Sequence, residues 1–136
     1  MNTPWGQSDY QRTIQRGLHW VSTPSHGGFM VSRGLAENLL TRAAISEGEH
    51  FGDYLAFEED CDAAIILYEL PQTREGFSHV SDAELLESLS YWHIPYLVAR
   101  GITPNPEQVA KRKEFDAKYT AHQQAIRDAQ TGGANA

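Results

Sequence analysis

The chain has 136 residues, is 40% hydrophobic and 21% charged, and sets 18 acids against 11 Lys and Arg, a net charge of −7. That is ordinary globular composition rather than disorder, and the length suits one domain with a single core. The acidic balance argues against direct nucleic-acid binding and for basic partners.

One cysteine, Cys61, excludes an intramolecular disulfide and fits a reducing compartment. The longest apolar run, residues 63–68, is far too short for a bilayer, and residues 1–15 show no basic segment leading into an apolar one. A cytoplasmic protein free of membrane is expected.

In chain order, residues 18–22 and 29–32 are short, aromatic and β-branched, with Thr23-Pro24-Ser25-His26-Gly27-Gly28 between them. Such a cluster of turn formers predicts a β-hairpin over 18–32, the two glycines supplying positive φ at the reversal. Ser32 can cap a helix to about Ala44 with Leu35, Leu39 and Leu40 on one face. Residues 47–52 form a polar connection, and residues 54–57 a third short strand. Glu58, Glu59 and Asp60 then fit the first turn of a helix, where acids suit the helix dipole. A buried strand over 63–70 competes with that reading.

Ser81-Asp82-Ala83-Glu84 has the spacing of a capping box, and the helix it opens would bury Leu85, Leu86, Leu89 and Trp92 until Pro95 stops it. Gly101 ends the next helical segment. Asn105, Pro106 and Gln108 open a last helix to about Ala129, with a stripe of Phe115, Tyr119, His122 and Ile126. The whole predicts one α+β domain over 1–130, a small antiparallel sheet on the 18–32 hairpin packed against three or four helices. Residues 131–136 would form a flexible tail.

The charge is unevenly placed. Between Glu37 and Glu87 stand thirteen carboxylates and two bases, a local charge of −11, while the segments on either side each sum to +2. A helix start accounts for part of this density. The other reading is a contact surface for a basic partner, formed by Glu47, Glu49, Asp53, Glu58, Glu59, Asp60 and Asp62. Acids at such density can imitate a duplex, which presents about one charge per 1.7 Å of axis. Paired carboxylates for acid–base chemistry are a third reading, without a supporting pocket motif.

His26 and Ser25 in the hairpin turn are the alternative site, with His26 as base or ligand beside the acids. The plainer reading is a turn histidine bonded to local backbone, and Ser25 adjacent in sequence is not catalytic geometry. The six histidines include no pair at metal-ligand spacing and there is no second cysteine, so neither a metal nor a cofactor is expected. Lys111-Arg112-Lys113 is interleaved with acids and reads as a solvated helix face. Trp5, Trp20 and Trp92 read as core anchors.

Trp5-Gly6, the stretch from Gly17 through Ser25-His26-Gly27-Gly28 to Val31, and Glu58-Glu59-Asp60-Cys61 together resemble a family of small proteins encoded by phages, plasmids and related mobile elements. The hairpin and residues 63–66 are more distantly similar to the plasmid antirestriction family ArdB/KlcA. His26 stands where that family has asparagine, and the long C-terminal helix is an addition. The resemblance implies an α+β, non-catalytic counter-defence protein in the bacterial cytoplasm, of antirestriction or anti-CRISPR type. Its expected partner is a host defence protein with a basic nucleic-acid-binding surface. A small enzyme or ligand-binding protein at the 23–28 turn, and an accessory phage structural protein, are the alternatives.

Overall fold

The computed structural model describes residues 1–135, with side chains as far as Thr131. Its frame is a five-stranded antiparallel sheet in the order β3-β4-β5-β7-β6. The strands are β3 (Tyr10–Gln15), β4 (Leu18–Ser22), β5 (Gly27–Ser32), β6 (Glu49–Phe51) and β7 (Tyr54–Glu58). A two-stranded ribbon, β1 (Asn2–Thr3) with β2 (Gly6–Gln7), precedes it.

Both faces of the sheet are covered. Leu18, Phe29, Val31, Leu55 and Phe57 point into the main core beneath the helices, whereas Val21, Met30 and Ala56 pack with Met1 and Trp5 on the opposite face. That second layer explains the near-continuous apolar sequence of β5 and β7.

The hairpin forms with Ser22 opposite Gly27, so Gly27 and Gly28 belong to β5 and not to the turn. Their role is close approach rather than chain reversal. A Cβ on Gly28 would lie 2.2 Å from the Phe57 carbonyl oxygen and 2.7 Å from the Trp5 ring; one on Gly27 would lie 2.6 Å from the Val21 carbonyl oxygen. The reversal is made by Thr23, whose backbone N–H and hydroxyl both donate to the His26 carbonyl.

The helical segments are α1 (Arg33–Leu39), α2 (Arg42–Glu47), α3 (Ala63–Glu69), α4 (Asp82–Trp92), α5 (Ile94–Ala99) and α6 (Pro106–Asn135). The helix expected from Ser32 to Ala44 is split in two. Ser32 caps α1 as expected, but Leu40 turns extended and Thr41 caps a second helix by accepting from the Ala44 N–H.

Glu58, Glu59 and Asp60 are not a helix start: Glu58 ends β7, a turn follows, and α3 opens only at Ala63. Residues 63–69 are nonetheless helical, and burial of Ala63, Ala64, Ile65, Ile66 and Leu67 nearly all round the helix is why periodicity alone left a strand open.

Ser81 Oγ accepts from the Glu84 N–H, the first arm of a capping box, and its hydroxyl donates to the Glu84 carboxylate. Trp92 is 45% exposed instead of buried, lying edge-on to Tyr91 under the Arg112 guanidinium. Asn105 caps α6, but the Gln108 side chain reaches Glu87 and does not close a box. The 115–126 stripe faces solvent, and the helix runs past Ala129 to Asn135; Ala136 lies outside the described residues. No described helix is long and apolar enough to cross a membrane.

One buried carboxylate joins three helices. Glu69, at the end of α3, accepts from the Thr41 N–H (2.8 Å) and hydroxyl at the start of α2, and from the Tyr96 hydroxyl and Arg100 (2.9 Å) on and after α5. Burial, then the carboxylate, raises the Tyr96 phenol well above its ordinary pKa, so it remains a donor at neutral pH.

Glu69→Ala strands these donors and is expected to cost about 3 kcal/mol in denaturant unfolding; a loss under about 1 kcal/mol contradicts the clamp. Gly28→Ala is expected to cost about 2 kcal/mol by overpacking. Gly34→Ala, in open space on α1, should instead gain about 0.5 kcal/mol.

Candidate functional site

Strand register brings most of the expected acidic residues to one end of the sheet. Gly28 pairs with Glu58 and Glu49 with Ala56, so the ends of β5, β7 and β6 lie side by side there. The Glu59 N–H donates to the Gly27 carbonyl, holding the turn after β7 against the strand that follows His26. Glu47, Glu49, Glu58, Glu59, Asp60 and Asp62 therefore share this end with Ser25 and His26. Asp53 does not. It lies in the β6–β7 turn, roughly 17 Å along the strand from Glu58.

Within this end the side chains form a connected series. His26 Nδ1 lies 3.5 Å from Glu58 Oε1, while Glu58 Oε2 accepts from the Asp60 N–H at 2.9 Å. Cys61 Sγ lies 3.6 Å from Glu58 Oε2 and 3.5 Å from Asp62 Oδ1. His93, between α4 and α5, comes next: Nε2 is 2.9 Å from Asp62 Oδ1 and Nδ1 is 3.4 Å from Glu47 Oε2. His26 is half exposed, whereas His93 is buried, 7% exposed.

His26, Glu58, Glu59 and Asp60 thus converge as the alternative site requires, and their donor atoms can share an ion. Ser25 stands apart from His26, its hydroxyl reaching Thr23 and the Trp5 carbonyl, so no Ser–His nucleophile forms. Burial, then the Asp62 and Glu58 carboxylates, push the Cys61 thiol up to about 12, which removes it as a thiolate nucleophile at neutral pH.

Sequence reasoning missed Cys61 and His93 as site members. The only local signal was His93 two residues before Pro95, where a helix must break and a side chain can turn inward.

A groove of about 480 Å³ runs beside this cluster, lined by Glu47, His93, Trp92, Pro95, Arg112 and Asp116 among others. A larger one, about 760 Å³, lies at the far end of the sheet around Arg16, His19 and Tyr54, with no carboxylate or thiol in its lining. Burial lowers the pKa of His19 there. The first groove is the better site because it adjoins the clustered titratable groups.

The comparisons bear on family alone. No curated protein matches the chain, and no solved structure does. A family model described as "Domain of unknown function (DUF7007)" matches residues 1–123, from the first strand into α6. With that match over most of its length, the chain belongs to the DUF7007 family.

Proposed function

We propose that the protein acts by binding, seating the acidic end of its sheet on the basic, nucleic-acid-binding surface of a second protein. The observation that carries this reading is charge without compensation. Among the described residues, Glu37, Glu47, Glu49, Asp53, Glu58, Glu59, Asp60 and Asp62 have no Lys or Arg within 4.0 Å. Glu49, Glu59 and Asp60 are also exposed and lie at one end, so their fields add toward solvent.

Arg74 and Arg100 are occupied elsewhere, Arg74 pairing with Asp82 and Arg100 with Glu69. The resemblance to mobile-element proteins makes counter-defence in a bacterial cytoplasm the setting. The partner would be a restriction or CRISPR-type enzyme prevented from holding DNA.

A second reading, a small-molecule site using His26 with Glu58, is favoured by the 3.5 Å approach of those side chains. It predicts that His26→Ala removes function while leaving the fold intact.

Capture of partners from bacterial lysate at low salt, followed by affinity measurement on the purified partner, separates the two. The acidic-surface reading expects roughly 10-fold weaker binding or more on raising salt from low to physiological levels. It expects a similar loss in Glu59→Lys/Asp60→Lys, and release of nucleic acid from the partner. Affinity indifferent to salt and to the charge reversal would overturn it.

A further inference from the structure

Among the described residues, His93 Nε2 is the one buried side-chain nitrogen without a hydrogen-bond partner. It is only 2.9 Å from Asp62 Oδ1, yet an N–H on that nitrogen does not point at the oxygen. The two atoms are close without being directed at each other, as two donors are when they share a third atom. Cys61 Sγ completes the group, 3.5 Å from the same oxygen, and all three donor atoms lie within 4.8 Å of one another. On the far side of the ring Glu47 Oε2 faces Nδ1 at 3.4 Å. A metal on Nε2 would leave the Nδ1 N–H facing that carboxylate, the usual second contact of a metal-binding histidine.

We infer that Cys61, Asp62 and His93 bind a divalent transition metal of the zinc type, with Glu47 as the positioning residue for His93. The donor set selects the metal class: one sulfur, one imidazole nitrogen and one carboxylate oxygen suit zinc, whereas magnesium and calcium take oxygen alone.

Spacing agrees. Tetrahedral zinc with ordinary bond lengths separates nitrogen from oxygen by roughly 3.3 Å and sulfur from oxygen by roughly 3.5 Å. The observed separations are 2.9 and 3.5 Å, so a small movement of one ring admits the ion. Thiolate and carboxylate together supply two negative charges, matching the dication, and no Lys or Arg among the described residues pairs with Asp62 or Glu47 to compete. Three protein donors leave a fourth position for water or for Glu58, whose Oε2 stands 3.6 Å from Sγ. The Cys61 proton leaves to solvent on binding.

This site shares Glu47 and Asp62 with the acidic end of the sheet, but it does not rest on the partner-binding reading and its test uses no partner. The full chain, stripped with a chelator and dialysed, is titrated with Zn²⁺ by calorimetry and with Co²⁺ by absorption. The expected result is one ion per chain and a near-ultraviolet charge-transfer band from a cobalt–thiolate bond. Cys61→Ser should abolish the band, and Asp62→Asn and His93→Gln should weaken zinc binding. Glu47→Gln should raise Kd roughly 10- to 100-fold with the band retained.

Asp53→Asn, at an exposed acid on the far turn of the sheet, should leave affinity unchanged. A folded wild type that takes up no zinc overturns the inference, as does uptake without the thiolate band or equal affinity in Cys61→Ser. Cys61→Ser changes one half-buried atom, so it decides the matter even where His93→Gln fails to fold.

Discussion

The Glu69 carboxylate is the contact on which the arrangement of the helices depends. It is almost fully buried, and a buried carboxylate is tolerated only when its oxygens are fully engaged. Its donors come from the start of α2 and from the turns on and after α5, while Glu69 itself ends α3. Clamped there, the three helices present their opposite ends to one another. Those ends carry Glu47 at the end of α2, Asp62 before α3 and His93 before α5. The side chains that meet around His93 therefore owe their meeting to a carboxylate at the other end of the same helices.

The sheet supplies the remaining members by a different constraint. The Trp5 ring crowds Gly28, and the Phe57 carbonyl passes too near for any Cβ, so β5 and β7 are drawn close where the chain enters the Glu59–Asp60 turn. That fixes Glu58 beside His26 and aims Cys61 and Asp62 toward α5. Charge then gives the assembly its character: acids gather at this end with no Lys or Arg paired to them among the described residues, and a cation of some kind is the natural complement.

Local signals in the sequence were legible and nonlocal ones were not. The Ser81 cap, the Asn105 cap, the 18–32 hairpin and the 54–57 strand each depend on a few adjacent residues, and each forms. β3 escaped because Tyr10–Gln15 is polar on an exposed edge strand, with only Ile14 packed inward, and β6 because three residues carry no periodicity. The break at Leu40 was hidden because Thr41 caps α2 partly through Glu69, far along the chain. The clustering of Glu58, Glu59 and Asp60 was visible as composition, but its cause was misassigned to a helix dipole. His93 could not be placed beside Asp62 by any spacing rule, since only tertiary packing joins them.

The account stands most directly on the state of the His93 ring. In the zinc-loaded full chain, ¹⁵N NMR of the histidine side chains reports which ring nitrogen carries the proton. The account requires the proton on Nδ1, facing Glu47, and Nε2 bound to the metal beside Asp62 and Cys61. A His93 ring that keeps its Nε2 proton in the zinc-loaded chain would contradict it.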